Sequence, residues 1–186
     1  TNASGEIYYT TDGSDPRLIG GGIHTSATLY TGPLPLTTTG PLRARSYDTG
    51  TWSALNEATF IVDAVVASSS NLVVSEVHYR PAAPTPAEED AGFLERSVFE
   101  FIEVMNIGLN EVDMTNVRFT DGVEFNFDNS LQGITLAPGQ RFILVSNIDA
   151  FQIRHPGVSN SLIAGEFSGS LSNGGEQITL LASDNS

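Results

Sequence analysis

The chain contains no cysteine and no lysine, and its eight basic residues are all arginines. Without cysteine it can form no disulfide, no thiol nucleophile and no Cys-ligated metal site. Its 22 acidic residues give a formal net charge of −14, and such a chain repels nucleic-acid phosphates and anionic membrane surfaces. It also lacks any apolar run near the roughly 20 residues that a membrane-spanning helix needs. We therefore expect neither a nucleic-acid partner nor membrane insertion.

Helical periodicity is scarce as well, and short apolar stretches alternate with Gly, Pro, Asn and Asp. This pattern predicts an all-β fold with many short strands, joined by turns such as Asp12-Gly13 and Asn173-Gly174. One short helix is expected at Ile148–Arg154, with Asn147 as its N-cap. The predicted strands are Glu6–Thr11, Thr28–Tyr30, Leu42–Tyr47, Ala58–Val62, Leu72–His78, Phe99–Met105, Val117–Thr120, Val123–Phe127, Arg141–Ser146 and Gln177–Leu181.

Two domains are expected, because small residues (AVVASSS) interrupt the strand pattern at 64–70. Residues 1–63 carry six acids and three arginines, a net charge of −3, whereas residues 71–186 carry sixteen acids and five arginines, a net charge of −11. We predict domains at 1–63 and 71–186, joined by a linker at 64–70. The segment Pro81–Glu95 contains three prolines and the acidic run Glu88-Glu89-Asp90, so we expect it to be exposed, solvated and mobile.

The first segment contains GEIYYTTDGSDP, YTGP and RARSYDTG. As a set, these stretches resemble the small β-sandwich module at the C-terminus of chitobiases and β-hexosaminidases, and the resemblance covers roughly residues 5–62. It implies an immunoglobulin-like fold of a kind that occurs in many secreted bacterial proteins. Family members have a further strand ahead of the one that holds IYYTTDG, so we expect the module to be truncated at its N-terminus.

The second segment contains SEVHY, EFIEVMN, LAPG and GSLSNGGE, which together are similar to the lamin tail domain. This resemblance covers nearly all of residues 71–186 and implies an immunoglobulin-like β-sandwich. Bacterial members occur in large extracellular proteins, beside hydrolase, nuclease or kinase-like domains. A further strand normally follows ITLL, so we expect truncation at the C-terminus and open sheet edges that can pair with other chains. The predicted fold is therefore all-β, with two tandem immunoglobulin-like β-sandwich domains.

Aromatic side chains of the first segment are candidates for binding a sugar. A platform on which a glycan stacks could be formed by Trp52, Tyr8 and Tyr47, and Tyr30 is a fourth candidate. Relatives of this module accompany chitin-degrading enzymes, so a glycan is the ligand expected by analogy. The alternative is that the same rings pack in the core of a small sandwich or at its rim.

Four acidic residues are candidate ligands for a metal ion. Asp12 and Asp15 lie in TDGSDP, whereas Glu76 and Glu103 lie in two predicted strands that could approach each other. Carboxylate oxygens of this kind bind Ca²⁺, the only cofactor that the sequence suggests, and paired carboxylates can also run acid–base chemistry. The alternative is structural, because Asp side chains cap turns and a buried Glu must be hydrogen-bonded whatever its function.

No pattern of a catalytic site is visible in the sequence. His24, His78 and His155 show no metal-site or nucleophile spacing, and the serines lack a GxSxG context. We therefore expect a non-catalytic spacer, targeting or protein-binding module of a large extracellular or cell-surface bacterial protein. The alternatives are an accessory part of an extracellular hydrolase or nuclease assembly, and a carbohydrate-binding module. The expected partners are other domains of the parent protein, a second copy paired through strand edges, or a glycan.

Overall fold

The structure, a computed structural model, describes residues 5–182 and separates the chain into two compact units, Thr1–Asp63 and Ala64–Ser186. The described residues are mostly strands, and the two α-helices among them are short, which confirms the predicted all-β class. The predicted truncations concern the two chain ends, which lie outside the described residues. Neither helix within residues 5–182 is long and apolar enough to cross a membrane.

The first unit is built on one antiparallel sheet. Its strands are β1 (Glu6–Thr10), β2 (Thr28–Leu29), β3 (Gly40–Asp48), β4 (Thr51–Trp52) and β5 (Asn56–Phe60). The order is β2-β1-β3, and both β4 and β5 pair with the other edge of β3. Thr49 and Gly50 join β3 to β4 with φ angles of 45° and 90°, the positive values that a type I′ hairpin turn requires. Where the resemblance implies a sandwich of two layers, the strands within residues 5–63 form a single layer.

Within residues 64–182, the second unit contains three small sheets around one main core. Its strands are β6 (Val65–Val66), β7 (Leu72–His78), β8 (Phe101–Asn106), β9 (Val112–Asp113), β10 (Arg118–Asp121), β11 (Val123–Asn126), β12 (Thr135–Leu136), β13 (Arg141–Val145), β14 (Ile163–Glu166), β15 (Ser168–Gly169) and β16 (Thr179–Leu181). Its helices are α1 (Pro86–Asp90) and α2 (Ile148–Arg154), with 3₁₀ turns at Arg96–Phe99, Phe127–Asn129 and Asn160–Leu162. The sheet orders are β14-β13-β8-β7, β15-β11-β10-β16 and β12-β9-β6, and all three sheets contribute side chains to the main core.

Strand β8 is buried on both faces. Ile102 and Val104 point into the main core, whereas Phe101 points the other way, into a second cluster that includes Phe151 of α2. A strand covered on both sides reads as a nearly continuous apolar run rather than as an alternation. The helix that provides this second cover has the bounds predicted from the sequence, and its predicted N-cap is confirmed, because Asn147 Oδ1 accepts a hydrogen bond from the Ala150 N–H at 2.9 Å.

Residues 64–70 differ from the predicted linker. Val65 and Val66 form β6, which pairs in parallel with Val112 and Asp113 of β9. The side chain of Ala67 is buried in the main core. The small residues that suggested a flexible connection therefore belong to the second unit, where Ala67 is buried and Val66 is exposed.

The segment Pro81–Glu95 also differs from its prediction as a solvated acidic loop. It contains helix α1, which begins with a capping box between Thr85 and Glu88. The carboxylate of Glu88 is buried and pairs with Arg154 through two hydrogen bonds, Nε–Oε1 at 2.8 Å and Nη2–Oε2 at 2.7 Å. The Arg154 guanidinium also lies 3.4 Å from the centroid of the Phe99 ring. A carboxylate tolerates burial when a guanidinium satisfies both of its oxygens, so this acidic run is partly internal.

Candidate functional site

The three aromatic residues predicted to bind a sugar come together on one face of the first unit's sheet. The ring centroids of Tyr47 and Trp52 lie 4.7 Å apart, and Tyr8 lies 5.9 Å from Trp52 and 6.4 Å from Tyr47. Antiparallel pairing explains this cluster, because Tyr47 is the cross-strand partner of Trp52, and Tyr8 projects from the neighbouring strand on the same face. Tyr30 is half exposed and stands apart from these ring contacts.

The polar groups of the aromatic cluster already have partners within the unit. The indole N–H of Trp52 donates to the Gly21 carbonyl at 2.8 Å, and the Tyr8 hydroxyl donates to Glu6 Oε2 at 2.9 Å. The hydrogen bond to Glu6 raises the pKa of Tyr8. The three rings are half-buried and inclined to one another by 46° to 77°. They form a small half-buried cluster bonded to Gly21 rather than one flat surface.

The two aspartates of TDGSDP make separate local bonds. Asp12 Oδ1 accepts from the backbone N–H and the hydroxyl of Ser14 at 2.9 Å and 2.5 Å, and these bonds lower the pKa of Asp12 to about 2. Asp15 accepts two hydrogen bonds from Arg45, at 2.8 Å and 2.7 Å, which lower the pKa of Asp15 to about 2. The two hydrogen bonds from Arg45 occupy both oxygens of Asp15 and attach the loop that follows β1 to β3.

The two glutamates predicted to approach each other are cross-strand partners in β7 and β8. The pairing shifts register between Val74 and Glu76, so that Ser75 lies at a bulge. Glu103 is nearly buried and accepts from the Ser75 hydroxyl at 2.7 Å and from Arg141 Nη1 at 3.2 Å, whereas Glu76 is exposed. Residues 5–182 contain no group of three or more His, Cys, Asp or Glu side chains that could hold a metal ion.

Two histidines that are distant in the sequence both contact Phe101, on the face of this sheet that α2 covers. The His78 ring stacks on Phe101 at 4.9 Å, and the His155 ring lies 5.8 Å from Phe101 and 4.7 Å from Phe151. His155 Nε2 is buried without a hydrogen-bond partner. Burial, followed by the charges of His78 and Arg154, lowers the pKa of His155 below its ordinary value. The neutral imidazole therefore packs as an aromatic side chain.

Two buried polar residues at the ends of β8 were not singled out from the sequence. Glu100 is 2% exposed and accepts a 2.8 Å hydrogen bond from the backbone N–H of Leu171, and burial raises the pKa of Glu100. The side-chain amide of Asn106 is fully buried, donates to the carbonyls of Asn110 and Leu136 at 2.8 Å and 2.7 Å, and accepts from Gly108. The sequence feature that could have identified them is their position, because Glu100 and Asn106 flank the largely apolar stretch of EFIEVMN.

These bonds join the stretches on which the resemblance to the lamin tail domain rests. Glu100 connects EFIEVMN to Leu171 in GSLSNGGE, and Asn106 connects it to Leu136 at the start of LAPG. A buried carboxylate or amide must be hydrogen-bonded, and here the backbone of a segment remote in sequence supplies the partner. These motifs are therefore attached to one another through buried polar side chains.

A concavity of about 600 Å³ lies beside β11 and β14 in the second unit. Its apolar wall includes Phe125 and Leu131, and its carboxylates are Glu124 and Glu166. Glu166 Oε1 already accepts from the Ile148 backbone N–H at 2.8 Å, which fixes the start of α2. The lining has the shape of a shallow groove, and the exposed Ser168 and Glu124 within it are cross-strand partners of β15 and β11.

Two protein-family models match the chain. The model described as Lamin Tail Domain matches residues 66–186, which confirms the resemblance inferred for the second segment. The model described as Fn3 associated matches residues 1–60. It carries a different name from the chitobiase-type module, so that finer resemblance stays a prediction. No curated protein and no solved structure matches the chain.

We predict that Glu103 has a structural role and that Glu76 has none. Glu103→Ala removes the side-chain acceptor of the Ser75 hydroxyl and of Arg141 and should destabilise the second unit by about 2 kcal/mol. Glu76→Ala, the matched control on the partner strand, should stay within about 0.5 kcal/mol of the parent. Denaturant unfolding followed by circular dichroism measures both. Equal losses for the two variants, or stabilisation by Ca²⁺ in the parent alone, would contradict this assignment.

His155 predicts a pH dependence of stability. Its pKa is lowered in the folded state, so below about pH 6.5 the unfolded chain binds a proton that the folded chain resists. Stability of the second unit should therefore fall as the pH drops through this window. His155→Leu should remove that part of the slope, whereas His24→Leu, a variant in the first unit, should keep it. Thermal unfolding between about pH 7.5 and 5 measures the difference, and parallel curves for all three proteins would refute the prediction.

Proposed function

Because this chain belongs to the Lamin Tail Domain family, we propose that it is a non-catalytic module of a large extracellular or cell-surface bacterial protein. In this role it holds other domains of the parent protein at a distance, targets them, or docks them. The absence of cysteine leaves the compartment open, so the extracellular placement rests on the resemblance of the second unit to bacterial members of this family.

The observation that carries this proposal is that the buried charged side chains are committed to holding the fold. Glu88 pairs with Arg154, and Glu103 pairs with Arg141. Glu100 is bonded to the backbone of a distant loop. An active site needs an acid, a base or a nucleophile that is held in place and still free to meet a substrate. These carboxylates are buried and bonded to structural partners, which supports a structural role over a catalytic one.

The two alternatives have less support from the same contacts. An accessory catalytic role would use Glu76 and Glu103, yet Glu103 is bonded to Ser75 and Arg141. Carbohydrate binding would use the aromatic cluster, yet the Trp52 indole N–H donates to a backbone carbonyl and the rings are inclined. A sugar platform works best when flat ring faces and polar donors are both available to the ligand.

The proposal is tested by screening the chain for turnover of ester, phosphodiester and glycoside substrates. We expect background rates for every substrate class, and the same rates for Glu103→Gln and Glu76→Gln. Activity above background that Glu103→Gln removes and Glu76→Gln preserves would overturn the proposal. The paired variants matter because Glu103 also stabilises the fold, so circular dichroism must show that both variants remain folded under the assay conditions.

A further inference from the structure

The chain contains one Asn-Gly pair, at Asn173-Gly174. An asparagine followed by glycine is chemically labile, because the glycine nitrogen can attack the side-chain amide carbon and no Cβ on the glycine stands in its way. The sequence also contains two Asp-Gly pairs, Asp12-Gly13 and Asp121-Gly122, where the same attack on a protonated carboxyl group isomerises the aspartate. The surroundings of these three pairs differ in the structure.

Asn173 and Gly174 are exposed and form the central positions of a turn. The turn is closed by the Gly175 N–H, which donates to the Ser172 carbonyl at 3.4 Å. Among the residues that the structure describes, none is hydrogen-bonded to the Asn173 side-chain amide. The Gly174 N–H lies outside any strand, and its partner is the Ser172 hydroxyl at 3.2 Å, the long end of the range for such bonds. Both reacting groups are therefore accessible and weakly restrained.

The two Asp-Gly pairs are more strongly restrained. Hydrogen bonds from the hydroxyl and the backbone N–H of Ser14 lower the pKa of Asp12 to about 2. The attack requires the protonated acid, and a lower pKa makes that form rarer at neutral pH. Asp121 is the last residue of β10 and pairs with Thr179 of β16. The rotation that would bring the Gly122 nitrogen to the Asp121 carboxyl carbon therefore has to disturb a strand pairing.

We propose that Asn173 is a site of spontaneous deamidation in the folded protein. The Gly174 nitrogen loses its proton and bonds to the side-chain carbonyl carbon of Asn173. The bond from that carbon to the amide nitrogen breaks, and ammonia leaves after taking up a proton. Water then opens the resulting succinimide ring at either of its carbonyl carbons, which gives aspartate or isoaspartate at position 173. The reaction is redox-neutral, and water is its only co-reactant.

Both products change the loop in which the turn lies. Each carries a carboxylate in place of the amide, which takes the formal net charge of the chain from −14 to −15. The isoaspartyl product also adds a methylene carbon to the main chain between residues 173 and 174, within the turn. The same loop holds Leu171, whose N–H donates to the buried carboxylate of Glu100. The modification therefore acts on a segment that is attached to β8.

Peptide mapping by mass spectrometry, after incubation of the folded chain at mildly alkaline pH, tests the proposal. Cleavage after arginine places the three pairs in three different peptides, 1–17, 119–141 and 155–186. We expect a gain of about 1 Da that fragmentation locates at residue 173, with aspartate and isoaspartate forms separated by chromatography. Asp12 and Asp121 should remain unmodified over the same period.

Gly174→Ala is the matched test of the mechanism. A Cβ at this position would lie 3.7 Å from Ser172 Oγ, an ordinary van der Waals contact, so the turn accommodates alanine. The added methyl group hinders the attacking nitrogen, and we expect deamidation at Asn173 to slow about tenfold or more. Gly157→Ala is the control in the same peptide, because its Cβ would meet nothing within 4 Å, and it should leave the rate unchanged.

Three outcomes would overturn the proposal. If the folded protein gains no mass at Asn173 over the period in which the urea-unfolded chain does, the fold protects the site. Isomerisation of Asp12 or Asp121 as fast as deamidation of Asn173 would show that the structural differences between the pairs do not set their reactivity. Equal rates for Gly174→Ala and the parent would exclude attack by the Gly174 nitrogen. Circular dichroism before and after incubation verifies that each variant is folded.

Discussion

The second unit depends on two polar side chains buried at the ends of one strand. β8 is covered by apolar groups on both faces, so a carboxylate at its start and an amide at its end can persist there only if each finds partners. Glu100 finds its partner 71 residues further along the chain, in the backbone of Leu171. Asn106 binds two carbonyls, one of them that of Leu136 at the end of β12. The strand therefore sets the position of loops that are remote in sequence.

The first unit is held together differently. Its sheet has ion pairs and a small aromatic cluster on one face, and an incompletely covered apolar surface on the other. The Arg45–Asp15 pair is partly exposed, and exposed pairs contribute little stability. Burial of apolar surface is the larger stabilising contribution in small domains, and this unit has little of it among its described residues. The second unit thus buries a large apolar core, whereas the first unit buries few of its described residues.

Local patterns in the sequence were enough to predict the all-β class, most strands and helix α2. The alternation of apolar residues and the N-cap Asn147 are local patterns, and local patterns can be interpreted without knowledge of the fold. The linker prediction was wrong because small residues such as Val65 and Ala67 occur both in linkers and in cores. Only their contacts, with β9 and with the main core, show which applies here. Glu88 and Arg154 lie 66 residues apart, so the burial of an apparently solvated acidic run depended on a contact that spacing does not reveal.

The claim that β8 fixes the loops through buried polar bonds is tested most directly by amide hydrogen exchange at Leu171. Its N–H donates to the buried carboxylate of Glu100, so we expect it to exchange nearly as slowly as the N–H groups of the core strands. Glu100→Ala should abolish that protection, whereas Ala at the exposed Glu124 should preserve it. Exchange of the parent Leu171 amide as fast as that of the exposed Gly174 would contradict the account.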